Sequence, residues 1–241
     1  MGTILKLPAE IVDHILFYND YEQLVVLRQV CKQWQYIIDR PLRWQTVMLN
    51  YPPSPNTLLW QLKKFQYLME PHLSSIRSLH ITGVRDTLVR YILKKCILLE
   101  DLTIEGWRTL SYHAIHLSKN KKINKLRNLK CLGRGNQIFI LEPFSFANFL
   151  YSCPCLTLLH IDQCELVLHA DTFLTYLQKH RIYLPELTSL VLSLQQPSTW
   201  SQQHIQILFT FCPNLKYLQL ESSPLLPSTN IPPTYPLSLN M

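Results

Sequence analysis

Only five of the 241 residues are glycine, and neither GxGxxG nor GxxxxGKS/T occurs in the chain. A phosphate-cradling loop needs glycine so that backbone N–H groups can close on the anion, which argues against Gly-rich nucleotide sites. Charge is sparse too: 16% of residues are charged and 47% hydrophobic, a balance that supports a sizeable core and opposes wholesale disorder. No uncharged apolar stretch approaches the roughly 18 residues of a membrane span. The N-terminus lacks a basic segment followed by an apolar one, so no secretory signal is expected. The seven cysteines, Cys31, Cys96, Cys131, Cys153, Cys155, Cys164 and Cys212, are odd in number. In a reduced cytoplasmic or nuclear setting they act as small apolar packers.

Catalytic signatures are missing as well. There is no nucleophile elbow, HExxH or cysteine-protease pattern, so a non-enzymatic protein without cofactor is expected. Cys153, Cys155, Cys164, His160 and His169 cluster in the chain, but Cys-x-Cys followed by a cysteine nine positions later is not a zinc spacing, and no metal is expected. His113 and His116 have no acidic neighbour that would complete a ligand set. The net charge of +7 is concentrated in KNKKINKLRNLK, Lys119 to Lys130. Such a block reads first as a solvated edge. No aromatic residue interleaves with it, which speaks against a base-stacking surface and against nucleic acid as partner. Steep salt dependence of RNA or DNA binding is the mark of the opposite reading.

What the chain does have is repetition. IRSLHI (76–81), LEDLTI (99–104), LRNLKC (126–131), LTLLHI (156–161), LTSLVL (187–192) and LKYLQL (215–220) share one apolar pattern. Their middle leucines, Leu79, Leu102, Leu129, Leu159, Leu190 and Leu218, are separated by 23, 27, 30, 31 and 28 residues. WQTVML (44–49) is an irregular earlier copy centred on Val47. Helices are expected between copies: over Asp86 to Leu99, over Phe144 to Cys153, after Asp171 as N-cap, and after Ser201 as N-cap. Pro154, Pro185 and Pro213 precede three strands, where they end a helix and extend the chain. Each unit is too small to bury its own apolar side, so stacking is the solution. CPNLKYLQL (212–220) and CPCLTLLHIDQC (153–164) resemble cysteine-containing leucine-rich repeats, with Cys131 standing where leucine is usual. The resemblance implies an α/β fold, a curved leucine-rich repeat solenoid of about six to seven repeats over 43–221 with a parallel concave sheet. The tail, 222–241, holds five prolines and no charge; it cannot continue the repeat and is expected to be irregular or disordered.

The first forty residues pose a different problem. Leu7-Pro8 opens a helix carrying Ile11, Ile15 and Leu16, Asn19-Asp20 turns the chain, and a second helix carries Leu24, Leu27, Val30, Cys31, Trp34 and Ile38. That is about ten large apolar side chains in a span too short to enclose them, so a partner is needed. Docking on the first repeat, as a cap, also serves. Leu-Pro-x-Glu-Ile, Ile-Leu, then Leu-x-x-Leu-x-x-Val-Cys-Lys-x-Trp resembles the F-box, carried here by Leu7, Pro8, Glu10, Ile11, Ile15, Leu16, Leu24, Leu27, Val30, Cys31, Lys32 and Trp34. Asn19, where the family usually has leucine, and Tyr21, where proline is frequent, depart from it.

The resemblance implies an F-box helical module over residues 1–42 that docks on a Skp-type adaptor, and through it on a cullin–RING ubiquitin ligase. Leu7, Pro8, Ile11, Ile15, Leu16, Leu24, Leu27, Val30 and Trp34 are the implied adaptor-facing and inter-helix set. The repeats then hold a protein substrate destined for degradation. Alternation along each strand places Asp101, Thr103, Glu105, Lys130, Leu158, His160, Asp162, Tyr217 and Gln219 on the concave side. This mildly acidic face, with Trp107, Leu158 and Tyr217 as apolar anchors, suits a basic or mixed segment. A repeat scaffold that recruits no ligase is the alternative.

Overall fold

A computed structural model describes residues 7–50, 59–107, 110–117, 122–134, 137–196 and 199–222. The prolines of the tail, and Lys119 and Lys121 of the basic block, lie outside the described residues.

Three short helices open the chain: α1 (Ala9–Phe17), α2 (Tyr21–Arg28) and α3 (Lys32–Ile38). A 3-10 turn over Pro41–Trp44 leads into β1 (Thr46–Leu49), and α4 (Leu62–Met69) comes next. Strand and helix then recur as β2 (Ser78–Val84), α5 (Asp86–Lys95), β3 (Asp101–Trp107), β4 (Leu110–Ser111), α6 (Tyr112–Ile115), β5 (Asn128–Leu132), β6 (Ile138–Ile140) and α7 (Pro143–Ser152). The series closes with β7 (Leu158–Val167), α8 (Ala170–His180), β8 (Ser189–Leu194), α9 (Gln202–Phe211) and β9 (Tyr217–Ser222). The fold is α/β, with N-terminal helices and a C-terminal parallel sheet with helices.

All the described strands belong to one parallel sheet, in which β1, β2, β3, β5, β7, β8 and β9 lie side by side in chain order. Their register is the one the repeated pattern predicts: Val47 sits opposite Leu79, and Leu102, Leu129, Leu159, Leu190 and Leu218 continue the row. Two residues on, Ile81, Ile104, Cys131, Ile161, Leu192 and Leu220 form a second row, so Cys131 takes a leucine position in the core. Both rows are buried except at β9, where Leu218 and Leu220 are half-buried and no further strand among the described residues covers them. Each buried leucine contributes about 1.5–3 kcal/mol by leaving water.

Two local expectations, Asp171 as a cap and Trp107 as an anchor, need correction. His169, not Asp171, caps α8; Asp171 falls in the first turn and its carboxylate meets His204 Nε2 at 2.8 Å. Ser201 does cap α9, reciprocally with His204. A second, unexpected ladder runs beside the first: β4, β6, the end of β7 and Leu194 of β8 align Leu110, Phe139, Leu166 and Leu194, all buried. The chain turns from one ladder to the other at equivalent positions, Gly83 (φ 75°), Gly106 (φ 61°) and Gln163 (φ 54°). Trp107 comes directly after such a turn. It therefore points into the core, 2% exposed, and its indole N–H donates to the Ile138 carbonyl at 3.2 Å; it cannot anchor a partner on the open face.

The N-terminal helices share the sheet's apolar core. Trp44, fully buried, donates its indole N–H to the Ile38 carbonyl (2.7 Å) and stacks on His72 with centroids 3.6 Å apart. His72 is itself 2% exposed, and its Nε2 has no hydrogen-bond partner although Asp39 Oδ1 lies 3.7 Å away. Burial drives its pKa down to about 4; the Asp39 carboxylate pulls the other way and Arg28 adds to the lowering.

Leu159→Ala, at the centre of the main ladder, is expected to lower stability by about 2–5 kcal/mol in urea denaturation, and Leu218→Ala at the open end by clearly less. Because the folded-state pKa of His72 lies below the unfolded value, the unfolded chain binds the extra proton between pH 6.5 and about 4. The contribution of neutral His72, about 3 kcal/mol, is complete above pH 6.5 and lost as pH falls toward 4. His72→Phe keeps a ring against Trp44 and should flatten the pH dependence of stability in that window relative to the unmodified protein.

Candidate functional site

The periodicity of Leu24 to Ile38 suits one helix, but the structure breaks it in two. Cys31 is extended (φ −162°, ψ 165°) and starts α3, while Gln29 closes α2 with bonds to Val26 and Leu27 carbonyls. A continuous helix would hold Leu24 and Ile38 roughly 21 Å apart. With the break, α3 folds back on α2, and Leu24, Val25 and Ile38 are buried in the common core. Asp20 caps α2, accepting from Gln23 N (2.8 Å) while the Gln23 side chain takes the Asp20 N–H. α1 is pinned through Asp13, which pairs with Arg43 at 2.5 Å and Arg40 at 3.3 Å. Arg28–Asp39 (2.6 Å) ties α2 to the end of α3, and Lys64–Glu22 (2.6 Å) ties it to α4.

This packing divides the nine residues singled out by the motif. Leu16 and Leu24 are inside (0% and 3% exposed), holding helix to helix, and cannot touch a partner. Leu27 and Trp34 are half-buried against the core. Leu7, Pro8, Ile11, Ile15 and Val30 are exposed, with Ile11 at 47% and Val30 at 63%. On α1, Val12 and Leu16 face in, so Ile11 and Ile15 form a stripe of their own on the outside. Sequence reasoning missed Phe17, Tyr18 and Val26, each more than 60% exposed, because their spacing fits no single face of the expected helices. Together these residues make an apolar surface on helices whose other side is already covered.

The two departures from the motif have defined places. Asn19 donates its side-chain N–H to the Ile15 carbonyl (2.9 Å), closing the end of α1. Tyr21 extends its hydroxyl to the free edge of the sheet: Met48 N–H donates to it at 3.2 Å, and it reaches the Thr46 carbonyl at 3.5 Å. The helices thus also cover the first strand.

The second candidate surface is the sheet face opposite the leucine rows. Asp101, Thr103, Glu105, Lys130, Leu158, His160, Asp162 and Gln219 all lie there half-buried, and Tyr217 is exposed. The face is a lattice of paired polar groups. Asn128 Nδ2 donates to Asp101 (2.5 Å), Ser193 Oγ to Asp162 (2.7 Å), and His160 meets Ser189 Oγ at 2.8 Å. Arg134, which the strand pattern does not include, reaches Glu105 at 2.8 Å, and His80 reaches the other oxygen at 3.2 Å. The Arg134 hydrogen bond holds the Glu105 carboxyl below its usual range against the opposing effect of burial. Burial, reinforced by Lys130, lowers the His160 pKa. The acidity of the face is thus partly cancelled by its own neighbours.

Asp171, His204 and Ser201 are adjacent, but His204 Nδ1 accepts from the Ser201 backbone N–H and the Ser201 hydroxyl accepts from His204 N–H: these bonds cap α9, and the Asp171–His204 contact ties α8 to it. Among the described residues no group of three His, Cys, Asp or Glu side chains could hold a metal. Burial pushes the Cys164 and Cys212 thiols up to about 12 and Cys131 and Cys153 higher still, which suits core packing. No described helix is long and apolar enough to cross a membrane.

Leu16→Asp is expected to unfold the helical module, whereas Ile11→Asp should shift the melting temperature by no more than about 2 °C, since one side chain is sealed and the other is in water; circular dichroism on both variants checks this.

No curated protein matches the chain. Residues 4–50 do match the family model described as F-box-like, a span that takes in α1, α2, α3 and β1.

Proposed function

We propose that this protein is the substrate-recognition subunit of an SCF-type cullin–RING E3 ubiquitin ligase. Domains of the F-box-like family typically bind Skp-type adaptors, which supports a receptor role in general. The observation that carries the reading is the exposure of Leu7, Ile11, Ile15 and Val30 inside the matched span. Burying these side chains against an adaptor removes apolar surface from water at about 25 cal/mol per Å². Leu27 and Trp34 add partial surface at its base, while Leu16 and Leu24 hold its shape.

The functional division is then a helical module over 1–42, a leucine-rich repeat solenoid over 43–221 and a Pro-rich tail over 222–241. The aligned rows from Val47 to Leu218 support the solenoid reading. Substrate docks on the open sheet face around Asp101, Thr103, Glu105, Lys130, Leu158, His160, Asp162, Tyr217 and Gln219, and Asp101 and Asp162 orient it. The subunit performs no chemistry and needs no cofactor. It holds substrate beside a ubiquitin-charged enzyme, raising effective concentration, in the cytoplasm or nucleus. The alternative is a scaffold that recruits no ligase, and one observation favours it: Tyr21 uses the helices to cover the edge of β1.

Co-purification with a Skp-type adaptor decides between them. The unmodified protein should retain adaptor, and Ile11→Asp with Val30→Asp should reduce retention about tenfold or more without changing the melting curve. A folded, unmodified protein that retains no adaptor would replace the ligase reading with the scaffold.

A further inference from the structure

Parallel strands force every connecting helix to end at the same rim of the sheet, where the next strand begins. α5 ends at Lys95 before β3, α7 at Ser152 before β7, α8 at His180 before β8 and α9 at Phe211 before β9. Backbone bonds stitch this rim together: Glu100 N–H donates to the Arg77 carbonyl (2.7 Å), Arg127 to Glu100 (2.8 Å), Thr157 to Arg127 (2.8 Å), Thr188 to Thr157 (2.8 Å) and Lys216 to Thr188 (2.9 Å). Neighbouring positions are therefore about 4.8 Å apart along it.

Charge is unevenly distributed across the sheet, although the opposite rim also carries Arg85 and Arg134. Lys95, Lys122, Lys125, Arg127, Lys179 and Arg181 stand exposed on this rim, and among the described residues no carboxylate forms an ion pair with any of them. Of the rim's carboxylates among the described residues, Glu100 is held by Arg77 at 2.5 Å, leaving Glu70 at the end of α4 and Glu186. The opposite rim, where strands end and helices start, carries Asp86, Glu105, Glu142, Glu165 and Asp171. Offsetting the helix dipole explains lysines in the last turns of α5 and α8. It does not explain Lys122, Lys125 and Arg127, which belong to no helix, and α7 and α9 end without any basic residue. Apolar side chains are interleaved: Ile97 is 66% exposed, Tyr151 52% and Tyr183 61%.

We infer that this basic rim is a third docking surface, distinct from both the adaptor face and the open sheet face, and that its occupant is an acidic polypeptide segment. Carboxylates would pair with this row of cations, which has no ion-pair partner among the described residues, and intervening side chains would rest on Ile97 and Tyr183. Charge complementarity of this kind sets orientation and on-rate and weakens with salt. A peptide is favoured over nucleic acid because base stacking needs free ring faces, and the Tyr151 ring is already covered by Lys122, whose ammonium lies 3.3 Å from its centroid and donates to the Tyr151 carbonyl at 2.8 Å. The inference stands independently of ligase recruitment.

Fluorescence anisotropy with a short labelled polyglutamate peptide tests it on the full chain. Binding at low salt is expected, with affinity falling as salt rises, and Lys122→Glu, Lys125→Glu, Arg127→Glu together should weaken it about tenfold or more. Lys95→Glu with Lys179→Glu, outside the backbone-bonded row, should weaken it as well, while Arg85→Glu on the opposite rim should not. Adaptor retention measured on the same variants should be unchanged, which separates this surface from the adaptor face. The proposal is overturned if the unmodified chain ignores polyglutamate, if the triple variant binds it equally well, or if a single-stranded oligonucleotide of equal charge binds more tightly than the peptide.

Discussion

The structure depends on one constraint: the row of aliphatic side chains from Val47 through Leu79, Leu102, Leu129, Leu159 and Leu190 to Leu218 must stay in step across parallel strands. A shift of one residue would turn a central leucine out and its neighbour in, such as Ser78 in β2, Asp101 in β3 or Lys130 in β5. No strand buries its own apolar side, so each leucine is stable only because the units before and after it are in register. The spacing of units varies, and the variation is absorbed outside the strands, where α6 is a single turn and α8 is three.

From that register follow both surfaces. Alternation leaves one side chain in two on the face away from the leucines, and those side chains, being close neighbours on adjacent strands, settle their charges among themselves: Asp101 with Asn128, Glu105 with Arg134 and His80, Asp162 with Ser193. Parallel direction leaves every helix end on one rim, where Lys122, Lys125 and Arg127 find no carboxylate among the described residues. At the head of the sheet, β1 has a free edge. Tyr21 covers it, and the Trp44–His72 stack locks the helices to the sheet. Helices that face the sheet on one side and water on the other have their outer apolar residues left over, and these fall inside the span that matches the F-box-like family model.

Much of this was legible because it is periodic. The strand register, Cys131 in a leucine position, the Ser201 cap and the turn at Asn19-Asp20 are each set by a few neighbouring residues. The break at Cys31 was not, since Leu27, Val30, Cys31 and Trp34 keep helical spacing straight through it and only the need to bring Leu24 and Ile38 into one core bends the chain. The second ladder through Leu110, Phe139 and Leu166 escaped notice because β4 and β6 are only two and three residues long. Trp107 was misplaced because Gly106 interrupts the alternation one residue before it.

The amino-acid order by itself determined the units, their leucines and the apolar helices at the start, since these rest on contacts between residues a few positions apart. Tertiary structure alone decided which apolar side chains remain in water, which acids are already matched, and that cations far apart in the chain line a single rim. Those outcomes depend on what each residue meets from distant segments, and local spacing carries no record of that.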